Sequence, residues 1–187
     1  DVPTAGEFSC SSELINPLQS NIEWGQRGNF LEVPTDCPQR DERCGWTGDA
    51  QAFIETATYN SDTAAFFTKW LADLRDTQLE DGAVADVAPI VREDLFAHAA
   101  PGWGDAAVIV PWTLYLRNAD RRLLERSLAS MKGWVDFIHH DNPELLWVNT
   151  RSMDYGDWLN IEPESPKDVP RTAHFAHSPP LPPRDPP

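Results

Sequence analysis

Seven residues between positions 36 and 49 carry side chains capable of chemistry: Asp36, Arg40, Asp41, Glu42, Arg43, Trp46 and Asp49. Four of them are carboxylates packed into 14 residues of chain. Carboxylates this close repel one another unless cations or ligand hydroxyls intervene, and the crowding raises the pKa of at least one. A carboxylic acid held protonated near neutral pH is what glycoside cleavage requires of its general acid. Arg40 and Arg43 are the counter-charges that would hold other carboxylates ionised. The same composition also suits a solvated, charge-paired turn at a helix start, where acids are favoured in any case.

Repetition argues for the chemical alternative. Trp46 precedes Asp49, Trp103 precedes Asp105, and Asp157 adjoins Trp158; Gly45, Gly48, Gly102, Gly104 and Gly156 flank these pairs. Indole faces stack on the C–H faces of sugar rings, and carboxylates accept hydrogen bonds from sugar hydroxyls. Glycine permits the turns that expose both. Three such pairs suggest a carbohydrate cleft. By contrast, Trp70, Trp112 and Trp134 lie on apolar helix faces and read as core.

Other reactive side chains form no convincing set. His98, His139, His140, His174 and His177 lack metal-ligand spacing. Cys10, Cys37 and Cys44 lack companions at zinc spacing and read as free thiols. A single Cys37–Cys44 disulfide stays open for an exported protein, and the compartment is not fixed. Asp81, Asp86, Glu93 and Asp94 read as a solvated loop rather than a cation site, and Ser152 has no visible His–Asp partnership.

The elements that must position these loops are helical. The chain has 187 residues, one domain or most of one. Its net charge of −15 argues against nucleic acid or an anionic membrane surface as partner, and no apolar run is long enough to span a bilayer. Residues 1–10 read as an extended lead-in. Ser11 or Ser12 caps a first helix with Leu14, Ile15, Leu18 and Ile22 at helical spacing, ending near 25–28. A second begins near 45–49; Ser61 or Asp62 caps a third bearing Phe66, Trp70 and Leu74. Residues 79–104 are irregular. Asp105 caps a fourth helix over 106–117, and Asp120 a fifth that ends at Asn142-Pro143. Residues 147–149 read as a short extended piece and 152–160 as a loop. No run of strand-like alternation appears, so the fold class is all-α. If helices pair as antiparallel hairpins, the loops 29–48, 80–105 and 152–160 line one cleft. Nine of the 17 prolines follow residue 162, and 178–187 read as a Pro-rich, disordered tail.

Three blocks of sequence then carry a resemblance. They are Trp24-Gly25-Gln26-Arg27-Gly28-Asn29-Phe30, Val33 through Arg43, and Gly45-Trp46-Thr47-Gly48-Asp49-Ala50-Gln51. With Gly102-Trp103-Gly104-Asp105-Ala106 and Tyr155-Gly156-Asp157-Trp158-Leu159 in the same order, the chain resembles α-L-rhamnosidases of glycoside hydrolase family 78 over roughly 8–177. The resemblance implies a partial (α/α)6 barrel of six-hairpin glycosidase type, about the first half of the ring, over 11–177. It implies cleavage of terminal α-L-rhamnose with inversion, no cofactor, and a rhamnose-containing glycoside as partner. Glu42 is then the general acid. Asp36, Arg40, Trp46 and Asp49 are sugar-site residues, and Trp103, Asp105 and Trp158 are cleft residues.

The departures shape the expectation. The family's catalytic domain is longer than this chain, and its general base is a Glu in the second half of the ring. Glu162 and Glu164 follow the Tyr155 block too closely to be that base. An inverting pair also needs carboxyl groups about 6.5–9.5 Å apart. This chain is therefore expected to supply the acid side, the missing C-terminal half of a longer parent chain being its partner. The alternative is a non-catalytic carbohydrate-binding fragment. The Pro-rich end reads like a truncated or frameshifted frame, and a half ring is expected to expose apolar surface and be marginally stable.

Overall fold

The computed structural model describes residues 2–91, 97–148, 150–151, 153–161, 163 and 165–177. Glu93, Asp94, Ser152, Glu162, Glu164 and the segment 178–187 lie outside the described residues. The described elements run in the order α1 (Ile15–Asn29), β1 (Phe30–Leu31), β2 (Val33–Pro34), α2 (Thr47–Asn60), α3 (Ala64–Asp76), α4 (Ala106–Asn118), α5 (Arg121–Asp141) and α6 (Asp168–His177). The two strands form one antiparallel hairpin. Its two-residue strands depart from the all-helical expectation, and Glu32 turns it with a positive φ of 74°.

Local start signals behave as polar capping physics requires. Ser12 Oγ accepts from the N–H groups of Leu14 and Ile15, both at 3.4 Å. Asp62 Oδ1 accepts from Ala64 N at 3.3 Å, and Asp120 Oδ1 from Leu123 N at 3.1 Å. Asp105 is the exception. It precedes α4 but makes no capping bond; its carboxylate turns inward.

Helix α4 is the hub of the packing. Ala106, Ala107, Val108, Val110, Pro111 and Leu114 are all buried, so the helix is covered on most sides. It packs against α2, α3 and α5. The core runs through Ile54, Phe67, Trp70, Leu74, Leu114, Met131 and Trp134. Trp70 and Trp134 occupy the interior as expected, whereas Trp112 is only half-buried. Trp147, in a piece read as short and extended, is a core residue. Its ring lies 5.6 Å from Trp134 and 6.4 Å from Phe175 of α6.

The lead-in is tied down by pairing across the α2–α3 turn: Ala5 N donates to Asn60 O at 3.0 Å and Asp62 N to Pro3 O at 2.8 Å. Helix α1 is attached mainly through polar contacts. Gln26 Nε2 donates to Ala57 O at 3.2 Å, and Asn60 Nδ2 donates to Gln26 Oε1 at 2.9 Å. The apolar residues expected to seat this helix stay open: Leu14 is 83% exposed, and Ile15 and Leu18 are exposed too.

The turn before α4 tolerates no side chain at Gly104. A Cβ there would lie 2.3 Å from Cη2 of Trp134, whose ring has no room to retreat. Gly104→Ala is expected to destabilise the domain by about 1–3 kcal/mol through overpacking. Urea denaturation followed by far-UV circular dichroism checks this; a midpoint equal to that of the parent chain would refute it.

Candidate active site

The three loops read as cleft-forming come together. Chain 44–47 lies alongside 85–88: Trp46 bridges Val87, Ala88 N donates to Gly45 O at 3.0 Å, and Thr47 N donates to Asp86 O at 3.0 Å. Ala85 in turn bridges His98, and Asp86 N donates to Ala97 O at 3.0 Å. The third loop joins through Tyr155, whose hydroxyl donates to Asp86 Oδ2 at 3.3 Å.

An aromatic wall forms where they meet. The Tyr155 ring lies 4.3 Å from Trp103, 5.6 Å from Trp158 and 5.9 Å from Trp46. Trp158 is 62% exposed, so the wall opens to solvent at that end. Trp103 reaches its place because Gly48, at the start of α2, has no side chain. A Cβ on Gly48 would lie 2.7 Å from the indole. The sequence suggested a turn as the reason for this glycine; the structure gives close aromatic approach instead.

The Glu42 carboxyl sits at the edge of this wall. Trp46 Nε1 donates to Glu42 Oε1, and Arg40 Nη2 lies 3.6 Å from Oε2. Burial pushes the Glu42 pKa up, and the facing Asp36 carboxyl pushes the same way; the Trp46 bond and Arg40 oppose it. Asp36 Oδ1 and Glu42 Oε2 are buried with no hydrogen-bond partner among the described residues. Cys37 Sγ completes a set of three donors within 4.8 Å of one another, a spacing that could also hold a cation. The neighbouring Asp36 carboxyl raises the Cys37 thiol pKa.

Asp36 and Asp49 border a cavity of about 490 Å³ shared with Ile22, Phe30 and Phe53. Asp49 is exposed as a residue, yet protein atoms partly desolvate its carboxyl, and this together with repulsion from Asp36 raises its pKa. Asp41 faces solvent, unlike its neighbour Glu42. Cys10, Cys37 and Cys44 are all free thiols, so the Cys37–Cys44 pairing left open by the sequence is not formed.

Asp105 corrects the expectation. It is fully buried and does not face the cleft. Oδ2 accepts from Gly102 N at 2.9 Å and Oδ1 from Trp134 Nε1 at 3.2 Å, so it braces the turn that carries Trp103. Asp86 corrects it in the other direction. Read as part of a solvated loop, it has no accessible surface, and burial raises its pKa to about 7. Tyr155, hydrogen-bonded to Asp86, has its own pKa raised by burial. No periodicity or spacing singled out either residue.

Comparison with known proteins decides the family. Residues 3–180 match the bacterial alpha-L-rhamnosidase 6 hairpin glycosidase domain. The chain belongs to that family. Its helices are part of a six-hairpin glycosidase domain. The chain is 51% identical to the alpha-L-rhamnosidase of Streptomyces avermitilis over 177 residues, covering 94% of this chain and 17% of that protein. It is 41% identical to an alpha-L-rhamnosidase of Formosa agariphila over 180 residues, covering 92% and 19%. The crystal structure of the Streptomyces avermitilis enzyme complexed with L-rhamnose superposes with a TM-score of 0.87, covering 95% of this chain and 17% of that one. Native alpha-L-rhamnosidase from Aspergillus terreus gives 0.85 at 39% identity, covering 95% and 21%. This rhamnosidase-family chain thus spans about a fifth or less of the length of these relatives.

The buried Asp86 gives a test independent of any sugar. Its folded pKa lies above its ordinary value of 3.8, so the native state binds more protons than the unfolded state between about pH 4 and 7. Its contribution to stability therefore falls as pH rises through that window and levels off above it, a loss of roughly 4 kcal/mol at neutral pH. Asp86→Asn keeps an acceptor for Ala100 N, which donates to Oδ1 at 3.0 Å. The stability difference between variant and parent should move in the variant's favour from pH 5 to pH 8. Urea titrations at both pH values measure it; a pH-independent difference would count against the buried, protonated carboxyl.

Proposed function

We propose that this chain forms the acid side of an α-L-rhamnosidase active site, acting on terminal α-L-rhamnose with inversion of configuration. The observation that carries this reading is the Glu42 carboxyl, raised in pKa and held by Trp46 at the edge of an aromatic wall. Glu42 is the general acid that protonates the leaving oxygen. The wall of Trp46, Trp103 and Trp158 offers aromatic faces to the apolar side of a pyranose ring. Asp36, Arg40 and Asp49 provide acceptors and a donor for its hydroxyls. In this reading the general base belongs to the remainder of the catalytic domain, in a longer parent chain, and the reaction draws on no cofactor.

Binding and turnover separate in the test. The 187-residue chain is expected to bind L-rhamnose without releasing the aryl group of an aryl α-L-rhamnoside. Trp46→Ala should weaken L-rhamnose binding at least tenfold, about 1.4 kcal/mol. Glu42→Gln should leave it within about threefold, because an amide still accepts the Trp46 N–H. Isothermal titration with L-rhamnose reads both. Equal affinity in Trp46→Ala and the parent chain would remove the sugar site from this wall. With the substitution placed in the longer parent chain, aryl release that survives Glu42→Gln would remove Glu42 from the acid's role.

A further inference from the structure

We propose that Tyr155 is a positioning residue for this site: its ring, pinned at the hydroxyl by the buried Asp86 carboxyl, sets the planes of Trp46 and Trp103. Through Trp46 it also sets the direction of the Glu42 carboxyl. The purpose of this device rests on the functional reading above; its geometry rests on packing alone.

Tyr155 touches all three tryptophans of the wall. It meets Trp46 and Trp158 edge-on, with interplanar angles of 84° and 85°, and Trp103 at 43°. Trp103 has no polar tether of its own, because its indole N–H is buried without a hydrogen-bond partner among the described residues. Packing therefore fixes it, with Gly48 on one side and Tyr155 on another. The ring of Trp46 is likewise set by what it leans on, and its Nε1 carries the Glu42 carboxyl.

Tyr155 is suited to this role because it is held at both ends. At the ring's far end the hydroxyl reaches Asp86, whose other oxygen is held by Ala100 N at 3.0 Å. At the backbone end, Asp154 accepts from Arg171 of α6 and from Gly156 N at 3.1 Å, with Lys167 Nζ at 3.9 Å. Arg171 holds the Asp154 carboxyl below its ordinary pKa despite partial burial. The same Asp86 fixes the Trp46 backbone, because its carbonyl accepts both Thr47 N and Thr47 Oγ1, the latter at 2.9 Å. One buried residue thus sets where Trp46 starts and what its ring meets.

Tyr155→Phe removes the hydroxyl and keeps the ring, so ring-current effects on the neighbours persist and any shift reports movement. The experiment records indole N–H signals by 15N-correlated NMR on the 187-residue chain, its Tyr155→Phe and Asp86→Asn variants, with L-rhamnose titrated into each. The signals of Trp46 and Trp103 are expected to move in both variants, while those of Trp24 and Trp112 stay in place. L-rhamnose affinity should fall about fivefold in Tyr155→Phe, the worth of one hydrogen bond. Trp46 and Trp103 signals coinciding with the parent's in both variants would overturn the proposal. If the parent chain binds no L-rhamnose, the functional reading falls, and the indole signals alone still decide whether Tyr155 positions the wall.

Discussion

A carboxyl group in a protein interior is tolerated when its oxygens are satisfied or its charge is removed, and the Asp86 side chain is arranged for both. Ala100 N and the Tyr155 hydroxyl take its two oxygens, and burial keeps a proton on it up to about pH 7. Each of these partners belongs to a different part of the site. Ala100 opens the turn that presents Trp103, Tyr155 anchors the third loop, and the Asp86 carbonyl holds the start of α2 through Thr47. Three stretches far apart in sequence therefore meet at one residue. That meeting point adds to the register that the Trp46–Val87 and Ala85–His98 bridges already give the loops.

The helices are built to let the loops converge. Helix α4 is covered by α2, α3 and α5, which frees the residues before it to form a tight turn rather than to shield a core face. Asp105 converts that turn into a rigid support by taking Gly102 N and Trp134 Nε1. The Trp134 indole thus serves twice, as core filling and as a tether for the cleft. Helix α6 contributes through charge, since its Arg171 reaches Asp154 beside Tyr155, joined by Lys167 just before the helix. The outer face of α1 does none of this work, and its apolar side chains remain uncovered.

Much of this was legible in the sequence because it is local. The five principal helices follow from apolar spacing and from Ser12, Asp62 and Asp120 at their starts. The Glu42–Trp46 pairing spans four residues, and the crowding with Asp36 follows from their six-residue separation. What escaped is long-range. Asp86 sits in an irregular stretch, and its Tyr155 partner is 69 positions away. Asp105 has the same Trp–Asp–Gly surroundings as Asp49, and its inward direction is taken up in part by the later Trp134. Trp147 lies beyond a helix, where no period marks a core face, and α6 is what encloses it. Residue type indicated that these groups matter; their direction depends on elements the local pattern does not contain.

The division between local and long-range features bears on how acid strength and sugar recognition are separated here. The acid's environment is almost wholly local: Asp36, Arg40 and Trp46 surround Glu42 within a dozen residues. Desolvation and a like charge raise its pKa, while one indole N–H and one guanidinium limit the rise. The aromatic wall is the opposite, assembled from positions 46, 103, 155 and 158 by tertiary contacts alone. Trp46 is the residue common to both. Its indole N–H addresses the carboxyl and its ring completes the wall. Movement of the wall therefore alters the hydrogen bond that favours the ionised acid, so loop packing and proton affinity are coupled through a single side chain.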